Sequence, residues 1–150
     1  MTLEQEIAAW VAEPRREPDS PFSALLETEY ARRGIIFRRA HMCAPFDYLV
    51  NGLRVDAKGS RTGWRGTLQF NTLHNARSGI ATSMCQRCDV VHCIGVVTDG
   101  TLRHYIIPAR VIGSRTGIAI NPDSESSQWF QWRDRWELLS GPGETSFIAD

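Results

Sequence analysis

Asp47, Asp56 and Lys58 are spaced so that two carboxylates and a primary amine could act on one bound group. The two aspartates flank an Asn51-Gly52 pair set between apolar-rich runs, a strong signal for a two-residue hairpin with a type I′ turn. In that register Val50 pairs with Leu53, Tyr48 faces Val55, Asp47 faces Asp56 and Phe46 faces Ala57. Carboxylates directly opposite each other on antiparallel strands repel. A hard cation bound through oxygen ligands turns that repulsion into a site. Lys58 projects from the same face as Asp56, because side chains alternate with period two, and could reach an anion or a water beside such an ion.

Lys58 is also the only lysine: the other sixteen of the 17 basic residues are arginines. Arginine does not give up its proton, whereas the pKa of lysine can be tuned downward. Keeping one lysine beside two carboxylates suggests a position where the chemistry excludes arginine. The competing reading is a solvated polar face on which Arg54 or Lys58 neutralises Asp47. The same alternation places Phe46, Tyr48, Val50, Leu53, Val55 and Ala57 on a core face, with Asp47, Leu49, Arg54, Asp56 and Lys58 on the other.

Several elements must position this hairpin. Thr2-Leu3-Glu4-Gln5 fits a capping box, predicting a short helix over 2–13 that the prolines at 14 and 18 break. Ser20 reads as an N-cap with Pro21 at the first helical position, and the helix runs to Arg33 with Gly34 closing it. Its apolar stripe is Phe22, Leu25, Leu26 and Tyr30. Glu29 falls in the middle of that stripe and Glu27 at its margin, and a carboxylate facing a core wants a partner. Residues 35–37 approach the hairpin as extended chain.

After Lys58 comes a loop rich in Gly and Arg over 59–66, then a third strand over 67–73 with Gln69 and Asn71 on one side. Residues 75–86 suggest a short helix or turn. Residues 89–97 form a nearly continuous apolar run, as in a strand buried on both faces. Asp99-Gly100 predicts a second two-residue hairpin returning to Ile107. Another short strand pair is expected within 110–120, a final helix carrying Trp129, Trp132 and Trp136 over 124–139, and a loose tail from 140 to 150.

With 150 residues, 42% hydrophobic content and no net charge, the chain reads as one domain able to bury a core. No apolar run is long enough to cross a bilayer and nothing resembles a signal peptide, so an intracellular, cytoplasmic protein is expected. Zero net charge gives no global attraction to nucleic acid, so DNA binding would need locally clustered arginine.

An Asp, a turn, and Asp-x-Lys on the next strand resemble the PD-(D/E)XK nuclease superfamily, which includes restriction endonucleases, junction resolvases and some homing endonucleases. Phe46-Asp47 stands where the family has Pro-Asp, and Asp56-Ala57-Lys58 matches (D/E)-x-K. The order helix, three meandering strands, short helix, strand is similar to the family's αβββαβ core, with a hairpin strand and closing helix added. The resemblance implies an α/β (α+β) fold, a mixed sheet covered by helices. It also implies an endonuclease hydrolysing DNA phosphodiesters with Mg²⁺, for which Mn²⁺ can substitute. Asp47, Asp56 and the Ala57 carbonyl would be metal ligands, Glu27 or Glu29 would complete the site, and Lys58 would orient the attacking water or stabilise developing charge. A nuclease-fold binding or regulatory module without turnover is the alternative.

Four cysteines are too few and too unevenly spaced for a secreted disulfide framework. In the superfamily core the first motif strand and the buried strand are parallel neighbours. This would let His41, Cys43, Cys85 and Cys88 meet as a structural zinc site; Cys93 reads as a small core residue. A chain this short, needing two centres to cut both strands, is expected to form a homodimer or a tetramer of such dimers. The Trp-rich final helix and the second hairpin are its candidate surfaces. The alternative is that all three tryptophans pack within the monomer.

Overall fold

The computed structural model describes residues 21–41, 44–63, 66–72 and 83–141. The expected helix over 2–13 and the tail beyond 141 lie outside these residues, as do Cys43 and most of 75–86. Helix α1 (Pro21–Arg32) begins at the expected proline. It ends where Gly34, at φ 70°, lets Ile35 N–H bond the Tyr30 carbonyl at 2.8 Å and Gly34 N–H the Ala31 carbonyl at 3.1 Å. This pair of bonds is a Schellman cap.

Strands β1 (Phe37–Arg39), β2 (Tyr48–Val50), β3 (Leu53–Arg61), β5 (Val90–Val96) and β6 (Leu102–Pro108) form one mixed sheet in the order β1-β2-β3-β5-β6. The hairpin register is the expected one, with Val50 opposite Leu53 and Tyr48 opposite Val55. Asn51 and Gly52 take φ 50° and 84°, as a type I′ turn requires. β5 runs parallel to β3 and antiparallel to β6.

Two further strands, β4 (Leu68–Asn71) and β7 (Gly117–Ile120), pair only with each other. The expected third strand of the meander therefore belongs to a separate ribbon, and β1 takes its place in the sheet. The parallel partner of β5 is β3, not the first motif strand. Short helices α2 (Met84–Arg87) and α3 (Ala109–Ile112) accompany the ribbon, and α3 stands where part of another strand pair was expected. The second hairpin has three loop residues: Val97 pairs with Thr101, and Gly100 at φ 88° closes the turn.

The sheet is buried on both faces. One face carries Tyr48, Val50, Leu53, Val55, Val90 and Ile106 against Leu26 and Tyr30 of α1 and Leu138 and Leu139 near the C-terminus. The other carries Leu49, Val91, Cys93, Tyr105 and Ile107 against Leu68, Phe70, Ile118 and Ile120 of the ribbon. The hairpin side expected to be polar thus faces a second core. Phe46 changes sides and joins that core.

The final helix does not form. Residues 130–132 and 136–139 are single 3₁₀ turns, separated by Asp134 at φ 54° and by a bridge from Arg133 to Tyr105 on β6. This segment crosses the sheet edge: Trp129 lies in one core, Trp136 packs against the other, and Trp132 touches both. The tryptophans have intramolecular partners, which removes them as a helical interface stripe.

The ribbon comes so close to the sheet that a Cβ on Gly95 would lie 2.4 Å from Leu68 Cδ1, and Leu68 is wholly buried. We expect Gly95→Ala to lower the unfolding free energy by about 1–3 kcal/mol in urea denaturation through overpacking. Unchanged stability would mean that the two layers do not meet at this point.

Candidate active site at the split between strands β2 and β3

The hairpin ladder ends abruptly at Tyr48. Asp47 N–H donates to the Val55 carbonyl at 3.0 Å, although Val55 already lies opposite Tyr48. Two residues facing one is the signature of a β-bulge, which bends the strand and re-aims its side chains. It explains why Phe46 reaches the opposite core and why Asp47 does not sit across from Asp56 in a regular ladder.

β2 leaves β3 here, and the next backbone donor, Ala57 N–H, finds the Asp47 side chain instead of a strand: Asp47 Oδ2 accepts its hydrogen bond at 2.8 Å. β5 supports β3 from the other side, with Asp56 in register with Val91 and Lys58 with Cys93.

Asp56 points into the ribbon-covered face and is 6% exposed. Lys58 Nζ forms an ion pair with its Oδ2 at 3.2 Å, and that buried oxygen has no hydrogen-bond partner besides this contact. Burial pushes the Asp56 carboxyl up from the ordinary 3.8 to about 7; Lys58 draws it down, while Asp47 adds to the rise. Desolvation is the largest of these influences.

The structure therefore brings Asp47, Asp56, Ala57 and Lys58 together. It does not bring Glu27 or Glu29 to them. Both belong to α1, whose apolar residues cover the opposite face of the sheet. Glu27 is held by the Arg39 guanidinium at 2.7 and 3.0 Å and by Tyr48 Oη at 2.9 Å. Glu29 accepts from Arg32 and Arg33, and these bonds, Arg32's first, hold its carboxyl down at about 2. Among the described residues no three His, Cys, Asp or Glu side chains form a metal-holding group.

Cys85 is exposed with Ser83 Oγ 3.0 Å from its sulfur. Cys88 is buried, its thiol pushed up to about 12, chiefly by desolvation. The four-ligand zinc arrangement depends on Cys43, outside the described residues. Cys93 is a buried core residue, as expected.

A divalent cation fits this donor set in part. Two carboxylates and a neighbouring carbonyl are hard oxygen ligands, Asp56 Oδ2 is buried without a hydrogen bond beyond its ion pair with Lys58, and Mg²⁺ commonly keeps several waters.

Two features escape a reading of the sequence. Asp89 Oδ2 accepts from Arg54 N–H at 2.8 Å, its carboxylate meets the Arg54 guanidinium at 3.1 Å, and its own N–H bonds the Arg54 carbonyl at 2.9 Å. This clamp fixes β3 against β5 just before Asp56. On the other face, His92 lies wholly buried between Tyr30 Oη at 2.8 Å and His104 Nδ1 at 2.9 Å. A histidine inside the apolar run of β5 was the available signal, since a buried imidazole needs partners.

In comparisons with known proteins, no family model, no curated protein and no solved structure matches the chain.

Asp56 also makes a pH prediction. Its folded-state pKa is raised, so the folded chain holds the proton more tightly than the unfolded chain between the ordinary 3.8 and about 7. Stability from this group therefore falls as pH rises through that window. We expect wild type to lose about 1–3 kcal/mol relative to Asp56→Asn between about pH 4 and about pH 8, measured by chemical unfolding. Parallel pH profiles would contradict the burial of this carboxyl.

Proposed function

We propose that the chain is a metal-dependent endonuclease of the PD-(D/E)XK type, acting on DNA phosphodiesters. The observation that carries this reading is the convergence of Asp47, Asp56 and Lys58 where β2 departs from β3. Support comes from the element order α1, β1, β2, β3, then a crossover to β5 lying parallel to β3, which agrees with an αβββαβ core.

Mg²⁺ held by Asp47, Asp56 and the Ala57 carbonyl would supply charge for the phosphate and lower the pKa of a bound water. The remaining roles belong to the chain. Asp56 enters the reaction ionised, a state its burial resists and an added cation favours. Asp47 carries a carboxylate on a bulge whose geometry is set by the Ala57 N–H. Lys58, half-buried and 3.2 Å from Asp56, aligns the attacking water and stabilises charge developing on the phosphate. An arginine cannot replace it, because its planar fork is larger and does not release a proton.

A second reading, a nuclease-fold module that binds without turnover, draws on one observation: Glu27 and Glu29 are both engaged by arginines, leaving two carboxylates at the centre among the described residues. Calorimetric titration separates the two readings. A Mg²⁺ or Mn²⁺ site abolished by Asp56→Asn supports the enzyme, and absence of any such site supports the module.

For the enzyme we expect Mg²⁺-dependent cleavage, tested on duplex, branched and single-stranded DNA, to fall at least about 100-fold in Lys58→Ala and not to recover in Lys58→Arg. Glu29→Gln should stay within about threefold of wild type, since its carboxylate serves Arg32 and Arg33. Wild-type cleavage no faster than Lys58→Ala on every substrate would end the enzymatic reading.

A further inference from the structure

Three side chains in a row leave β3 on the side of the ribbon: Arg54, Asp56 and Lys58. Leu53 and Val55 belong to the opposite core, and alternation puts the residues between and beyond them on the other side, about 7 Å apart along the strand. Asp56 therefore has a cation two residues away in each direction. Among the described residues only one of the two pairs with it. Lys58 Nζ meets its carboxylate at 3.2 Å, whereas Arg54 turns to Asp89, the residue immediately before β5.

Asp89 is built to hold that arginine. Arg54 Nε donates to its Oδ2 at 3.3 Å and Arg54 Nη2 to its Oδ1 at 3.1 Å, a two-pronged grip on the guanidinium. The Asp89 backbone is pinned on both sides: its N–H donates to the Arg54 carbonyl at 2.9 Å, and its carbonyl accepts from Ala109 N–H at 3.0 Å. A bidentate pair on a fixed backbone leaves the Arg54 side chain little freedom. The other arginine on this side is held as well, since buried Arg87 donates to the Thr72 carbonyl at 2.8 Å. Besides desolvation, the buried Cys88 thiol is acted on by Asp56, Arg87, Asp89 and Arg54, so both arginines lie in the electrostatic neighbourhood of Asp56.

We propose that Asp89 is a positioning residue for the cation site: by holding Arg54 it keeps an arginine off Asp56 and reserves that carboxylate for a divalent cation. The inference rests on the reading of Asp47, Asp56 and the Ala57 carbonyl as cation ligands. A guanidinium on Asp56 would engage both carboxylate oxygens in a fork and leave none open to a metal. Its fixed charge would also repel the incoming ion, more strongly in a covered position than in water. Lysine, a compact point charge with a single nitrogen, pairs with one oxygen and leaves the other for the cation.

The test is calorimetric Mn²⁺ titration of the full chain, with thermal unfolding recorded for every variant. Asp89→Asn keeps an acceptor for the Arg54 N–H and removes the charge that holds the guanidinium. We expect its Mn²⁺ affinity to fall about 10–100-fold, the range for residues that orient metal ligands. Arg54→Gln breaks the same ion pair from the other end and should bind Mn²⁺ at least as tightly as wild type. Asp89→Asn combined with Arg54→Gln should return to within about threefold of wild type, because the two changes are coupled. A crystal structure of Asp89→Asn should show the Arg54 guanidinium on the Asp56 carboxylate. Equal losses in the two single variants, as for a clamp that only joins the strands, overturn the proposal, and so does Arg54 remaining against residue 89. If Asp89→Asn does not fold, Arg54→Gln decides alone: wild-type affinity supports the proposal and a tenfold loss overturns it. Mn²⁺ binding indifferent to Asp89→Asn overturns the role of Asp89 and leaves the cation site standing. Wild type with no Mn²⁺ site overturns the cation reading and this role together.

Discussion

Everything at the candidate site depends on β3 having different neighbours along its length. Its first three residues pair with β2, and from Val55 onward it pairs with β5. Beyond the bulge, one side of β3 has lost its strand and must satisfy its backbone in another way. An unpaired amide in a covered position costs about 1–3 kcal/mol, and the Asp47 carboxylate removes that cost at Ala57. The same hydrogen bond fixes Asp47 next to Asp56. A backbone requirement and a chemical constellation are thus met by one side chain.

The two faces of the sheet handle buried polarity in opposite ways. Tyr30, His92 and His104 form a hydrogen-bonded chain, with Tyr30 Oη 2.8 Å from His92 Nδ1 and His92 Nε2 2.9 Å from His104 Nδ1. Burial holds His92 well below the ordinary histidine range, consistent with an uncharged ring that ties α1, β5 and β6 together. Across the sheet, Asp56 is nearly as buried, but its Oδ2 lacks a hydrogen bond and its carboxyl is pushed towards neutrality. A satisfied network rigidifies a core, whereas a buried carboxyl with an oxygen left without a hydrogen bond marks a place that a ligand could complete.

Much of this was legible where local chemistry decides the backbone. Asn51-Gly52 announced the turn and its register, Pro21 and Gly34 bounded the helix, and the apolar run through β5 signalled burial on both faces. Elsewhere tertiary context overrides local pattern. No residue near Asp47 advertises a bulge, so the Asp47–Asp56 opposition and the placement of Phe46 were read from an unbroken ladder. The alternation in β4 is that of a strand and β7 lies within the stretch where a short strand pair was expected, yet alternation does not name a partner, so their pairing with each other was not legible. Tryptophans at helical spacing suggested a helix, but the segment bends at Asp134 because it must pass from one core to the other. Glu27 and Glu29 have the right residue type and sequence neighbourhood for a third ligand; which carboxylate meets an arginine instead is settled only by the fold.

That bent C-terminal segment also decides how the sheet ends. By bridging to Tyr105 it lies along the outer rim of β6, where an open strand would otherwise offer its backbone to any extended peptide. The opposite rim is β1, only three residues long and ending in two arginines, a length and charge that discourage another strand from docking. With one rim strapped and the other short and bearing charged side chains, the sheet resists growing by addition of strands from further copies. Copies that do associate are steered to meet through side-chain surfaces, leaving each protomer's five-stranded sheet a closed unit.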